Sequence, residues 1–327
     1  MAADGDVLPA VSGAPAGTAL SSVRMAGGDG NGWAECGQGH RHWGTHGAAG
    51  LLAYARGQAG QPCVLLLCRA SWTQHGGTWA PPGGAKDSHE SAVAAALREA
   101  AEECGVPPGA VRIQGILRDD HGGWSYETVI AGAPWTFPVR AASREATKAA
   151  WVPVAELGSL PLHPGFADTW PVLRDALEPV TVIVDGANVM GSRADGWWRD
   201  RAGAAVRLHD ELAGLSARGV SSLPDGTTGA ALDRWFPQFV LVIEGAARAA
   251  ADRLAARSAS ERQRGEPESG DGVLVAIAPG SGDDTIAALA AETEGRRLVV
   301  TADRELRRRC ERAGAAVTGP RWLLGLL

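Results

Sequence analysis

Lysine is almost missing from this 327-residue chain: Lys86 and Lys148 are the only two, and arginine supplies the rest of the 31 basic side chains. With its excess of alanine and glycine, the bias suggests a GC-rich genome and carries nothing about mechanism. Long apolar runs are missing too. No stretch approaches the roughly 18 continuous apolar residues of a membrane-spanning helix, so no membrane partner is expected. The N-terminus, Met-Ala-Ala-Asp-Gly-Asp, lacks a positive region followed by an apolar run, which predicts no secretory signal. Cysteine is sparse. Cys36, Cys63, Cys68, Cys104 and Cys310 are odd in number and scattered, which excludes a simple disulfide framework and fits a reducing cytoplasm.

What is present is length enough for two domains of roughly 150 residues, a modest net charge of -6, and two acidic constellations. The first lies between Gly84 and Val106. It reads Gly-Ala-Lys-Asp-Ser-His-Glu, a spacer of seven small or apolar residues, then Arg98-Glu99-Ala100-Ala101-Glu102-Glu103-Cys104-Gly105-Val106. Asp87 with Glu90 three residues later has the form of a capping box, and the alanine-rich run from Ser91 predicts a helix that stops at Gly105. Glu99, Glu102 and Glu103 then fall at i, i+3 and i+4, three carboxylates on one helix face. Most charge runs are solvated faces. Like charges this close, flanked by fixed glycines and an Arg-Glu pair, are better explained by a hard divalent cation, because magnesium takes carboxylate and phosphate oxygens. Such an ion polarises phosphoryl oxygens and lowers the pKa of a bound water.

This segment resembles the Nudix box without a gap: glycine, five residues, Glu, seven residues, then Arg-Glu-apolar-x-Glu-Glu-x-Gly-apolar. The resemblance implies a hydrolase of nucleoside diphosphates linked to another group, with Mg2+ or Mn2+ as cofactor and a nucleotide as substrate. It implies Glu99, Glu102 and Glu103 as metal ligands with one of them as base, Arg98 orienting the catalytic Glu, and Gly84 and Glu90 supporting the loop. Ala100 departs from the larger aliphatic residue usual there, which weakens packing rather than chemistry. The leaving group is left open among oxidised nucleoside triphosphates, dinucleoside polyphosphates, sugar nucleotides and capped RNA. An additional acid outside the box is expected at Glu145 or Glu127, although Lys148 stands where another acid would suit. His75, His121 and Trp124, with Ser125-Tyr126-Glu127, are expected near the cleft to read a base by stacking or hydrogen bonding, with ordinary packing the favoured role for Trp124.

Strands are predicted at Ala48 to Tyr54, Pro62 to Cys68, Val111 to Leu117, Glu127 to Ala131, Trp135 to Arg140 and Trp151 to Val154, with a closing helix in Leu160 to Ala176. Residues 1–32, rich in Gly, Ala, Ser and Asp, are predicted as a disordered tail and 33–178 as the Nudix domain. After Glu178-Pro179 the pattern restarts. Four β-runs, Thr181 to Val184, Phe239 to Ile243, Gly272 to Ala278 and Leu298 to Thr301, alternate with helical segments and predict a parallel α/β sheet over 179–327. The runs end at or near Asp185, Glu244, Asp283-Asp284 and Asp303, and ligands of open α/β sheets bind at the carboxyl ends of the strands.

Val-Asp-Gly-Ala-Asn-Val, Gly-Ser-Gly-Asp-Asp-Thr and Val-Thr-Ala-Asp-Arg-Glu-Leu-Arg, taken together, resemble the PIN-like nucleases of the NYN branch. The expected fold is thus α/β throughout: a Nudix α/β/α sandwich with a mixed sheet, followed by a PIN-like Rossmannoid parallel-sheet domain. The second resemblance implies that Asp185, Asp283, Asp284 and Asp303 hold divalent ions, that Asn188 orients Asp185 or a phosphate, and that the substrate is RNA. Glu244 is a weaker addition. Each Asp alone is better read as a helix or turn cap, and only the set points to metal. Trp197, Trp198, Arg304, Arg307 and Arg308 are the residues for stacking and phosphate contacts. Residues 180–327 hold 19 Arg against 20 Asp and Glu, so any RNA affinity must be local. A silent RNA-binding module, or a nucleotide-sensing Nudix domain controlling the nuclease, are the alternative readings. Cys36, His40, His42 and His46 offer four zinc-ligand types, but their spacing matches no standard structural site and leads straight into a strand.

Overall fold

The computed structural model describes residues 28–264 and 272–327. Of the tail predicted over 1–32, residues 1–27 lie outside the described residues. Residues 28–32 are held in place: Gly30 N–H donates to the Asp87 carboxylate at 2.9 Å, and Gly44 and Thr45 amides donate to the Gly32 and Gly30 carbonyls.

The first half runs β1 (Trp33–Glu35), β2 (Arg41–Trp43), β3 (Ala48–Arg56), β4 (Pro62–Arg69), β5 (Trp79–Ala80), β6 (Gly83–Ala85), α1 (Ala92–Cys104), β7 (Arg112–Asp120), β8 (Ser125–Gly132), β9 (Ala146–Pro153) and α2 (Pro164–Asp175). β1 and β2 form their own hairpin, and the other strands build a mixed sheet in which β3 lies parallel to β8 and antiparallel to β4 and β6. β3 is buried on both faces. Ala49, Leu51 and Ala53 meet α1, while Leu52 joins Val64, Leu66 and Ile130 beneath Phe166 and Leu173 of α2. Ala92, Ala95, Ala96 and Ala100 form the buried face of α1, so small side chains set the helix close to the sheet. Ala100 is fully buried there.

Two local expectations are corrected. The helix N-cap is Ser91, whose hydroxyl accepts from Ala94 N–H at 3.1 Å, because Asp87 and Glu90 are committed to the preceding loop. Gly105, at φ 71°, ends the helix as expected. Trp135 to Arg140 forms no strand: Pro134 and Pro138 offer no ladder donor, and the Phe137 carbonyl takes the Trp151 indole N–H at 2.8 Å.

The second half runs β10 (Val180–Asp185), α3 (Gly186–Gly191), α4 (Arg201–Arg218), β11 (Arg234–Trp235), β12 (Gln238–Ile243), α5 (Ala249–Arg264), β13 (Val273–Ile277), α6 (Gly282–Glu292), β14 (Arg296–Val300), α7 (Arg304–Arg312), β15 (Ala316–Thr318) and α8 (Pro320–Leu324). Five parallel strands lie in the order β13-β12-β10-β14-β15, so chain direction across the sheet switches between β10 and β14. β10 alternates: Val182 and Val184 pack towards α4, while Ile183 packs with Ile286 of α6 and Leu306 of α7. The strand β15 was not anticipated.

The halves share structure. β11 pairs antiparallel with β7 and becomes the edge of the first sheet. Arg118 N–H donates to the Asp233 carboxylate at 2.7 Å and Phe236 N–H to the Gln114 carbonyl at 2.8 Å. One buried cluster runs from Leu52 and Leu66 through α2 to Val182 and Leu208. Among the described residues no helix is long and apolar enough to cross a membrane.

Candidate active site

Helix α1 carries the first carboxylate set, and the loop before it is tied to the same face. Arg98 is the tie. Its guanidinium donates to both Glu90 oxygens at 2.8 Å, to Glu99 at 2.7 Å and to the Ala85 carbonyl at 3.0 Å, and lies 3.6 Å from Glu102. Glu90 also accepts from Asp87 N–H at 3.0 Å. The Arg98 hydrogen bonds hold the Glu90 carboxyl at about 2, well below the usual carboxylate range. Gly84 is required by the approach of Glu99: a Cβ there would sit 2.5 Å from the Glu99 carboxylate.

Glu99 and Glu103 behave differently from Glu90. Burial raises the Glu99 carboxyl in spite of Arg98, and burial pushes Glu103 up to about 7. Glu103 accepts Gly83 N–H at 2.9 Å, and the negative charges of Glu99 and Glu145 add to its shift. Glu102 is the exposed member of the three. A buried carboxylate facing two others, with one amide donor, gains strongly from a cation. This donor set of oxygens on one helix face therefore fits a hard divalent ion.

A family model for the NUDIX domain matches residues 44–176. A Mycobacterium tuberculosis protein named "Putative 8-oxo-dGTP diphosphatase 3" is 42% identical over 163 residues, covering 47% of this chain and 73% of that protein. The chain belongs to the Nudix family. A "Nucleoside triphosphate pyrophosphatase/Nudix hydrolase fusion protein" of Bifidobacterium longum is 37% identical over 146 residues, which are 43% of this chain and 30% of that one. Among solved structures, a Nudix hydrolase from M. smegmatis is 43% identical and covers 44% of this chain and 93% of its own, with a TM-score of 0.42. Nudix proteins are hydrolases of phosphoric anhydride bonds that bind nucleotides and typically use divalent metals, and this chain is a Nudix hydrolase.

Around the Nudix helix the structure sorts the secondary expectations. Glu145 reaches the electrostatic environment of Glu103 because the 140–145 segment is hung from the end of α1, Ala142 N–H donating to the Glu103 carbonyl at 2.8 Å. Glu127 instead forms an ion pair with Lys86. His75 stacks edge-on against His163 at 4.7 Å, but His121 and Trp124 lie elsewhere, against His42 of the β1–β2 hairpin. Trp124 is buried and its indole donates to the Gly44 carbonyl at 2.9 Å, the packing role expected of it. One residue near the carboxylates, Arg69, was missed, and two that were noted, Lys148 and Tyr126, are placed by the sheet. Arg69, at the end of β4, acts electrostatically on Glu103 and His163; Lys148 lies 5.6 Å over the Trp79 ring; and Tyr126 is half-buried, with its pKa raised by desolvation and by Glu103. None sits in a motif, and only strand pairing brings them here.

The second acidic set gathers at the carboxyl ends of β10, β12 and β14 and the start of α6. Asp185 accepts from Asn188 N–H at 3.0 Å and from the Thr301 hydroxyl at 2.8 Å. Burial raises its carboxyl, and Asp283 and Glu244 add to the rise. Asp283 is raised by burial and then by Asp303, Glu244 and Asp284. Asp185, Glu244, Asp283, Asp284 and Asp303, five acids, therefore share one electrostatic site. Asn188 is tied in through its side-chain oxygen, which accepts Ala302 N–H at 3.1 Å. Glu244, the weaker addition, accepts Gly282 N–H at 2.6 Å at the head of α6. Asp284 is engaged by Arg309 in an ion pair at 2.8 Å, and both charges act on Asp283. Asp303 caps α7 by accepting the Glu305 and Leu306 amides.

Of the residues expected to touch RNA, Trp198 is exposed, whereas Trp197 is half-buried against the core with Arg201 stacked over its ring at 5.4 Å. On α7, Arg304 and Arg308 are exposed and Arg307 is half-buried. Thr301, a fully buried polar residue, was missed although it stands inside the quoted Val-Thr-Ala-Asp motif.

Proposed function

We propose that the Nudix half splits the pyrophosphate bond of a nucleoside diphosphate derivative, with a nucleoside triphosphate carrying an altered base as the first substrate class to test. The observation that carries this is the α1 face: Glu99, Glu102 and Glu103 one helix turn apart, braced by the Arg98–Glu90 tie. In this reading the three carboxylates hold Mg2+ or Mn2+, which when bound supplies charge for the phosphoryl oxygens and an acidified water. Arg98 fixes the orientation of Glu99. Gly83 N–H and the buried surroundings position Glu103, which gives up its proton on binding the cation. Arg69 and Lys148 supply positive charge for the phosphate chain, while Trp79, His75 and His163 offer ring faces for a base. The name of the M. tuberculosis relative supports trying 8-oxo-dGTP first.

The test is a panel of nucleoside triphosphates, dinucleoside polyphosphates, sugar nucleotides and capped RNA, with Mg2+ or Mn2+, scored for released phosphate or pyrophosphate. Glu103→Gln should abolish the release. Tight nucleotide binding without turnover by the native chain would instead favour a sensor.

For the second half we propose a PIN-like NYN domain over 179–327, following a Nudix domain over 33–178, that cleaves RNA with Asp185, Asp283 and Asp303 holding divalent metal and Asn188 orienting Asp185. Support comes from the convergence of acids from separate strand ends beside the switch between β10 and β14. Metal-dependent cleavage of single-stranded RNA, lost in Asp185→Asn, tests it; RNA binding without metal or cleavage would mark a silent module. The scattered free cysteines fit action in the cytoplasm.

A further inference from the structure

The β1–β2 hairpin stands outside both large sheets, and its tip gathers a different set of donors. Cys36 N–H donates to the His40 carbonyl and Gly39 N–H to the Cys36 carbonyl, both at 2.9 Å, so a tight turn brings Cys36 and His40 to its base. His42 follows two residues later on the same face of β2. Gly37 N–H donates to the Gly122 carbonyl, which docks this turn on the turn between β7 and β8. That turn carries His121. As a result the Cys36 sulfur and one ring nitrogen each of His40, His42 and His121 all lie within 4.8 Å of one another. His46 is not among them; it faces Asp29 at 3.9 Å.

The surroundings hold the rings as a ligand set is held. His121 Nε2 is 3.1 Å from the Asp119 carboxylate, while its Nδ1 is buried with no hydrogen-bond partner among the described residues. A carboxylate behind a histidine fixes the tautomer and leaves the opposite nitrogen free to bind a metal. His42 is fixed by stacking on Trp124, ring centres 4.0 Å apart and planes within 12°, and its Nε2 is also buried without a partner. Two orphaned ring nitrogens beside a buried thiol are costly unless something accepts their lone pairs.

We propose that Cys36, His40, His42 and His121 form a tetrahedral site for one zinc-class divalent cation, with Asp119 as the residue that positions His121. One sulfur and three imidazoles select zinc over the hard ions suited to the α1 carboxylates. Zn–N bonds of about 2.0–2.1 Å and Zn–S of about 2.3 Å place ligand atoms roughly 3.3–3.8 Å apart, so binding draws the cluster in by about 1 Å. The exposed His40 side chain can supply most of that movement. Four protein ligands close the coordination sphere, which makes the site structural: it ties the N-terminal hairpin to the β7–β8 turn. A second group, Asp29, Asp87 and His89, also converges, but its carboxylates already accept the Ser88 and Gly30 amides.

The experiment uses the full-length chain without a histidine tag, purified without chelator and then incubated with equimolar zinc. Elemental analysis should find one tightly held zinc per chain. Cys36→Ser and His121→Ala should each lose it, while His46→Ala and Glu103→Gln keep it. Cobalt in place of zinc should show tetrahedral ligand-field bands and a sulfur-to-metal charge-transfer band that Cys36→Ser abolishes. His40→Ala, at an exposed position, gives the same reading if a buried variant fails to fold. No zinc uptake by the native chain, or undiminished uptake by Cys36→Ser, His40→Ala and His121→Ala, would overturn the site.

Discussion

The acids of α1 and the acids at the end of the parallel sheet are assembled in opposite ways. On α1 the three carboxylates come from five consecutive residues; one arginine tied to Glu90 reaches Glu99 and Glu102, and the Gly83 amide holds Glu103. At the sheet end Asp185, Glu244, Asp283 and Asp303 come from four separate segments, and three of them also satisfy helix-start amides. Helix geometry alone therefore builds the first set. The second exists only while the sheet holds its register, and its members would have local work even without a ligand. This is why a carboxylate set on one helix is the more specific sign of chemistry.

The largest effect that would break this contrast is on turnover. Glu103→Gln should lower nucleotide hydrolysis by about a thousandfold or more, some 4 kcal/mol of barrier, with RNA cleavage intact. Asp185→Asn should do the reverse, and loss of both activities in either folded variant would sink the two-site view.

Next comes stability against pH. Glu103 is raised from its ordinary value of 4.5 to about 7, so its contribution in the metal-free protein is fully present below about pH 4.5 and is lost as pH rises through about 7. The loss is on the order of 3 kcal/mol. Thermal melts of metal-free protein should thus fall over that window, and Glu103→Gln should flatten the fall. Metal affinity, read by calorimetry, should rise over the same range as the carboxylate loses its proton.

Arg98→Lys should cost about 2–3 kcal/mol, because an ammonium cannot serve Glu90, Glu99 and the Ala85 carbonyl together. Urea unfolding measures it; an unchanged midpoint would show that the tie does not organise the set. Gly115→Ala should cost about 1–3 kcal/mol by overpacking, since its Cβ would stand 2.3 Å from Leu232 Cδ1 and 3.0 Å from the Arg234 carbonyl. Hydrogen exchange should then rise first at β7 and β11. The smallest effect is on caps: Asp303→Ala should cost about 1 kcal/mol, read from the same unfolding curves.

The regular elements were mostly legible because their apolar runs are long: β3, β4, β10 and β12 lie where continuous burial predicts them. Short elements were not. β11 is two residues before Phe236-Pro237, and nothing local marks it as the edge of a sheet more than a hundred residues earlier. The capping signal at Asp87 misled because the same pair, Asp and Glu three apart, also closes a loop when an arginine claims the Glu.

Spacing by itself determined the Nudix box, since i, i+3 and i+4 need only a helix to become one face. Tertiary structure decided everything that depends on distant segments meeting. It put Arg69, Glu145 and Tyr126 around Glu103, turned Asp284 towards Arg309, and replaced His46 by His121 beside Cys36. The reason is common to all three. Which residues of a strand or turn meet is set by register and by packing against other elements, and no local pattern encodes either.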